Sequence, residues 1–61
     1  MKLKDFAMVA ENNYIVGVEK GYEIVEEFFS YEKDMISFYE DYIVTGIWIL
    51  DEDTLAVNII K

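Results

Sequence analysis

The sequence predicts an α+β domain in which two β-hairpins form a four-stranded antiparallel sheet, accompanied by two short helices. A chain of 61 residues is long enough for one domain only. Its hydrophobic fraction of 54% and its lack of proline favour regular structure around a dense core. Segments rich in Val, Ile and aromatic side chains occur in two pairs, each interrupted by a short polar turn. We therefore treat residues 1–61 as a single domain.

Two segments have the residue spacing of a helix. In residues 3–10, apolar side chains fall at i, i+3 and i+4 beginning at Leu3, which places them on one helical face. Residues 33–40 repeat this spacing from Met35 onward and follow Ser30, a residue type that caps helices. We expect a short N-terminal helix and a second short helix between the hairpins.

The remaining apolar segments are typical of strands and turns. Lys20-Gly21 and residues 51–54 are polar or glycine-containing interruptions suited to hairpin turns. We predict four strands, over residues 14–19, 22–29, 42–50 and 55–60. The predicted core consists of Phe6, Val16, Val18, Ile24, Phe28, Ile47, Ile49, Leu55, Val57 and Ile59.

The third predicted strand is apolar on both sides. Strict alternation places Ile43, Thr45, Ile47 and Ile49 on one face, and Tyr42, Val44, Gly46 and Trp48 on the other. The helices of so short a chain can cover one face of the sheet, so the second face needs another covering. We hypothesise that a second copy supplies it in a homodimer, and that self-association involves Tyr42, Val44 and Trp48.

The charge of the chain excludes several classes of partner. Thirteen acidic residues against five basic ones give a net charge of −8. Direct binding of DNA or RNA requires clustered Lys and Arg, and attraction to anionic membranes has the same requirement. We expect no targeting segment, because Asp5 interrupts the start of the chain, and no membrane-spanning helix, because every uncharged run is short. The expected location is the cytoplasm.

The residue types needed for most catalytic mechanisms are missing. The chain has no cysteine and no histidine, which excludes disulfides and the usual zinc sites. Without these residues or arginine, most nucleophiles and oxyanion-stabilising groups are absent, so we predict no enzyme activity. The turn at residues 51–53 offers oxygen ligands but lacks the spacing of a calcium-binding loop. We therefore expect no metal and no cofactor.

Eight carboxylates between Glu19 and Asp41 form the candidate partner-binding surface. They are Glu19, Glu23, Glu26, Glu27, Glu32, Asp34, Glu40 and Asp41. If they share one face, they approach the charge density of duplex DNA, which carries one negative charge per ~1.7 Å. Such a surface would occupy the basic groove of a nucleic-acid-binding protein. The alternative interpretation is a solvated acidic surface that keeps an apolar protein soluble.

Several segments resemble short acidic proteins encoded by phages and prophages of low-GC Gram-positive bacteria. The resemblance rests on residues 2–6, 20–21, 41–44, 51–53 and 55–59 together with Ile47. The resemblance implies a phage or mobile-element origin and transfers no catalytic residue. In size and charge the chain is also similar to phage inhibitors of host enzymes, such as anti-CRISPR and antirestriction proteins. The leading hypothesis is such an inhibitor, and the alternative is a small homo-oligomeric accessory protein.

Overall fold

The computed structural model describes residues 1–61. Its elements in chain order are α1 (Leu3–Val9), β1 (Asn13–Lys20), β2 (Glu23–Phe29), α2 (Lys33–Phe38), β3 (Ile43–Ile49) and β4 (Thr54–Ile60). An α+β domain with four strands and two short helices was predicted, and this composition is confirmed. Both helices are shorter than expected. Helix α1 ends at Val9 rather than at Ala10, and α2 ends at Phe38 rather than at Glu40.

The four strands form one mixed sheet in the order β2-β1-β4-β3. Both hairpins are antiparallel, but β1 and β4 run parallel where the hairpins meet, so the prediction of a purely antiparallel sheet is wrong. The segment containing α2 leads from one edge of the sheet to the other, and β4 then returns between β3 and β1. This central position suits β4, because Val57 and Ile59 are fully buried there. The irregular strand β3 is left at the edge.

The first hairpin turns at Gly21 and Tyr22, one residue later than the predicted Lys20-Gly21 turn. Lys20 pairs with Glu23 across the hairpin, which leaves two residues in the loop. Gly21 has a φ of 67°. A positive φ at the first loop position is what a type II′ turn requires, and glycine adopts it without steric cost.

Both helices pack on the same face of the sheet, called the helix face below. The Phe6 ring of α1 meets the Tyr14 ring edge-on with centroids 4.9 Å apart, and Tyr39, just after α2, stacks on Phe28 with centroids 5.5 Å apart. The strand register places Tyr14 and Phe28 on the same side of the sheet. The opposite side, called the open face, has no helix over it. It comprises Ile15, Gly17, Glu19, Ile24, Glu27, Phe29, Ile43, Gly46, Trp48, Ala56, Asn58 and Ile60.

The core lies between the helix face and the two helices. Of the predicted core, six residues are buried: Phe6, Val16, Val18, Phe28, Val57 and Ile59. The hydrophobic core also contains three residues that were not predicted: Leu3, Tyr14 and Tyr39. Leu55 is half-buried and packs against this core.

The other three predicted core residues are exposed, so their prediction is wrong. Ile24 lies on the open face, where no helix covers it. Ile47 and Ile49 lie on the helix face of the edge strand β3 and are 46% and 76% exposed. A side chain on an edge strand has a neighbouring strand on one side only, and neither helix covers this end of β3. The apolar residues of β3 therefore contribute surface rather than core.

Candidate functional site

Five of the eight candidate carboxylates lie on the edge strand β2 or in the segment that directly follows it. They are Glu23, Glu26 and Glu27 of β2, Glu32 in the loop that follows, and Asp34 in the first turn of α2. We call this set the acidic edge. All five residues are exposed, and none forms a salt bridge with a lysine. The acidic edge therefore combines three carboxylates on a strand about 20 Å long with two in the segment that follows it.

Within the acidic edge, Glu26 and Glu27 point to opposite faces of the sheet. Glu26 pairs with Val18 on the helix face, and Glu27 pairs with Gly17 on the open face. Glu26 also accepts a hydrogen bond of 2.5 Å from the hydroxyl of Tyr39. This hydrogen bond, together with burial of the ring, raises the pKa of Tyr39 to about 12. Glu26 therefore has a structural role, because it ties β2 to the segment that follows α2.

Glu32 blocks part of the outer backbone of β2. Its Oε2 accepts a hydrogen bond of 2.7 Å from the backbone N–H of Phe29. This N–H points away from the sheet, because the next residue, Ser30, donates its own N–H to the carbonyl of Tyr14 in β1. A charged side chain at an edge donor hinders the addition of another strand. The acidic edge is therefore suited to contacts through its carboxylates rather than to strand pairing.

The other three candidate carboxylates lie elsewhere. Glu19 is half-buried on the open face, where its two carboxylate oxygens accept hydrogen bonds of 3.0 Å from Asn58 Nδ2 and from Thr45 Oγ1. Glu40 and Asp41 follow α2 and lie near the start of β3, at the opposite edge of the sheet. The structure thus places five of the eight residues on β2 and the segment that follows it, and the other three in other parts of the fold.

Asp41 lies beside the basic residues at the start of the chain. Its Oδ1 is 3.5 Å from Nζ of Lys2 and 3.5 Å from Nζ of Lys4. Exposed ion pairs of this kind contribute little to stability. Two lysines share one carboxylate here, so this end of the β3 edge contains ion pairs, which the acidic edge lacks.

The residues predicted for self-association do not share a surface. Tyr42 and Val44 pack against the core on the helix face, whereas Trp48 lies on the open face and is 48% exposed. The cause is a register shift between Val44 and Gly46, where the extra residue Thr45 interrupts the alternation of the strand. A β-bulge has no strong sequence signal, so strict alternation assigned these side chains to one face.

The open face contains apolar side chains that sequence reasoning did not assign to a site. A shallow groove of about 290 Å³ crosses it. Two glycines keep this face low: a Cβ on Gly17 would lie 2.7 Å from Asn58 Oδ1, and one on Gly46 would lie 2.9 Å from the Trp48 ring. The groove is lined by Ile15, Gly17, Ile24, Glu27, Trp48, Leu50, Ala56 and Asn58. The alternation of Ile15, Gly17 and Glu19 in β1 was the available sequence signal for this face.

The acidic turn between β3 and β4 is ordered by its own hydrogen bond. Asp51 Oδ1 accepts the backbone N–H of Asp53 at 2.9 Å, an arrangement typical of aspartate in turns. No group of three or more carboxylate side chains lies close enough together to hold a metal ion. The geometry therefore assigns this turn a structural role at the end of β3.

Comparisons with protein-family models, with curated proteins and with solved structures find no match to this chain. Neither helix is long and apolar enough to cross a membrane.

Proposed function

We propose that the protein is a non-enzymatic inhibitor that binds a basic, nucleic-acid-binding protein through its acidic edge. The observation that carries this proposal is the placement of five exposed carboxylates along β2 and the start of α2, with no lysine bonded to any of them. The groove of a nucleic-acid-binding protein is lined by Lys and Arg that neutralise phosphates. The acidic edge offers such a groove the same kind of charge.

The spacing of the acidic edge supports this choice over a purely solubilising role. Because Glu26 and Glu27 point to opposite faces, the strip presents charge on both sides of a thin edge, as the two strands of a nucleic acid do. Lys33 lies within the strip, so the five carboxylates and this lysine give a formal charge of −4, and Lys20 of β1 pairs with Glu23 at one end of it. A net charge of magnitude about 2–8 spread over the surface is enough to keep a small domain soluble, so solubility alone does not require the carboxylates to be grouped. A partner of this kind is met in the cytoplasm, and a phage-encoded inhibitor would act there on a host enzyme.

The test reverses charge on the acidic edge without touching its structural carboxylates. In the variant Glu23→Lys/Glu27→Lys/Asp34→Lys, the hydrogen bonds of Glu26 and Glu32 stay intact. Immobilised protein captures basic proteins from a host lysate, and the captured protein is then purified and titrated at increasing salt. We expect an affinity that falls with salt, because the charges at the contact are screened, and a loss of about tenfold or more in the variant.

The matched control carries the same change of charge elsewhere. Asp5→Lys/Glu11→Lys/Glu40→Lys reverses three exposed carboxylates outside the acidic edge, and we expect it to keep most of the affinity. Duplex DNA should compete for the same partner. Equal losses in both variants, or capture that duplex DNA does not displace, would show that the acidic edge is not the contact.

A further inference from the structure

The edge strand β3 is covered at its start and uncovered beyond. The backbone N–H of Val44 donates to the carbonyl of Met1 at 2.8 Å, and Leu3 N–H donates to the carbonyl of Tyr42 at 2.9 Å. Lys2 and Ile43 form an isolated antiparallel bridge. The N-terminal segment thus occupies the outer edge of β3 as far as Val44. From residue 45 to residue 49 no backbone segment lies against this edge.

The uncovered part of β3 presents free backbone groups. Leu50 N–H donates to the carbonyl of Thr54 at 3.0 Å, and Trp48 pairs with Ala56, so the backbone groups of residues 48 and 50 face β4. Because the direction of these groups alternates along a strand, those of Ile47 and Ile49 point away from the sheet. An edge of this kind is a template for another strand.

The side chains of this segment are apolar and exposed. β3 contains no charged residue, and Ile47, Trp48, Ile49 and Leu50 are each between 46% and 76% exposed. The edge strand β2, by contrast, carries three glutamates. The absence of charge from β3 leaves it without the usual protection against strand addition.

The distribution of charge favours a second copy of the chain as the added strand. The C-terminal end of β3 leads into Asp51, Glu52 and Asp53 and has no lysine beside it, whereas its N-terminal end lies beside Lys2 and Lys4, which share the carboxylate of Asp41. In an antiparallel pair related by a two-fold axis, each end of one strand meets the opposite end of the other. The acidic turn of each copy then lies next to the two lysines of its partner.

Repulsion between the acidic edges of the two copies does not prevent this arrangement. With β3 at the centre of an eight-stranded sheet, the two acidic edges are separated by seven strand spacings of about 4.8 Å, or about 34 Å. This distance is well beyond the screening length of about 8 Å at physiological salt. A chain of net charge −8 can therefore associate through this edge while its most acidic surfaces stay apart.

We propose that two copies of the chain pair through their β3 edges, antiparallel and with Trp48 opposite Trp48 of the second copy. In this register Ile47 of one copy pairs with Ile49 of the other through backbone hydrogen bonds. Trp48 occupies a non-hydrogen-bonded position, where opposed side chains are closest, and aromatic pairs there stabilise a sheet. This inference does not depend on the proposed inhibitory function, because it involves the opposite edge of the molecule.

The first test is sedimentation equilibrium with a substitution that removes the outward N–H. In Ile49→Pro the outward donor is lost while the β3–β4 hydrogen bonds remain, because proline is tolerated where an edge N–H faces solvent. Ile49→Thr keeps the donor and is the matched control. Over roughly 10 µM to 1 mM, the range suited to a small interface, we expect wild type and Ile49→Thr to reach twice the monomer mass and Ile49→Pro to stay monomeric.

A charge exchange tests the register of the pair. One variant carries Lys2→Glu/Lys4→Glu, and the other carries Glu52→Lys/Asp53→Lys; Asp51 is kept because its side chain orders the turn. When either variant pairs with itself, like charges meet at both ends of the paired β3 strands. We therefore expect its self-association to weaken about tenfold or more. In an equimolar mixture each end again meets its opposite, so association should return. Circular dichroism verifies that each variant is folded.

Three outcomes would overturn the proposal. A wild-type protein that stays monomeric over the whole range would leave the edge to a strand of a different protein. Dimers that persist in a folded Ile49→Pro variant would place the second copy elsewhere, for example on the open face. A mixture of the two charge variants that associates no better than either alone would exclude this register.

Discussion

The edge strands β2 and β3 both have backbone N–H and C=O groups that point away from the sheet. The two strands differ in how these groups are protected. β2 carries glutamates on both faces, and Glu32 covers the outward N–H of Phe29. β3 has no charge, and the N-terminal segment covers only its first residues. Charged side chains on an edge strand hinder the addition of another strand and attract an oppositely charged surface. An uncharged edge strand can pair with another strand. This difference underlies both proposals, which assign the β2 edge to a basic partner and the β3 edge to a second copy of the chain.

The largest expected effect comes from a substitution in the core, which lies between the two edges of the sheet. Ile59 in β4 is fully buried, whereas Ile49 in β3 is mostly exposed. We expect Ile59→Ala to lower the free energy of unfolding by about 2–5 kcal/mol, because it leaves a cavity in the core. Ile49→Ala should change it by less than about 0.5 kcal/mol. Urea unfolding at a concentration low enough to keep the chain monomeric measures both. Equal losses would show that β3 belongs to the core after all.

The contrast between Ile59 and Ile49 also shows what sequence alone can predict. Periodicity identifies the strands and helices, because each element buries residues at its own spacing. It does not identify the partner of each strand: the parallel pairing of β1 with β4 depends on where the second hairpin docks. Nor does it reveal the bulge at Thr45, which moves Trp48 to the face opposite Tyr42. Closeness in the chain predicted a single group of eight carboxylates, but it could not reveal that Glu40 and Asp41 lie near β3, at the edge opposite β2.

A smaller effect is expected from the two glycines of the open face. In Gly17→Ala the new Cβ would lie 2.7 Å from Asn58 Oδ1. The Asn58 side chain is held in place because its Nδ2 donates a hydrogen bond to Glu19, so we expect a loss of about 1–3 kcal/mol. In Gly46→Ala the Cβ would meet the Trp48 ring at 2.9 Å. This half-exposed ring lies on the edge strand and can turn aside. We therefore expect a smaller loss with a clear change in tryptophan fluorescence.

Urea unfolding and fluorescence spectra of the two glycine variants compare how well two places on the open face accommodate an added methyl group. Gly17 lies at the centre of this face, and Gly46 lies on its β3 edge. A larger loss for Gly46→Ala than for Gly17→Ala would contradict the view that β3 is the more adaptable of the two strands.

The smallest expected effect appears only at high pH and concerns the β2 edge. The pKa of Tyr39 is raised to about 12 from its ordinary value of 10.0, so the folded state favours the protonated phenol. This contribution to stability is fully present below pH 10 and is lost as the pH rises towards 12. We expect the difference in unfolding free energy between wild type and Tyr39→Phe to stay constant up to about pH 10. Above that pH the unfolding free energy of the wild type should fall relative to that of Tyr39→Phe. A constant difference up to pH 12 would show that the bond to Glu26 does not form.

The most direct test of the difference between the two edges is amide hydrogen exchange as a function of protein concentration. The outward N–H groups of Ile47 and Ile49 report on the β3 edge, and the outward N–H of Glu27 reports on the β2 edge. We expect exchange at Ile47 and Ile49 to slow as concentration rises, because a second strand covers them, while Glu27 exchanges equally fast at every concentration. If all three amides respond alike, or if none responds, the two edges do not have the separate roles assigned to them.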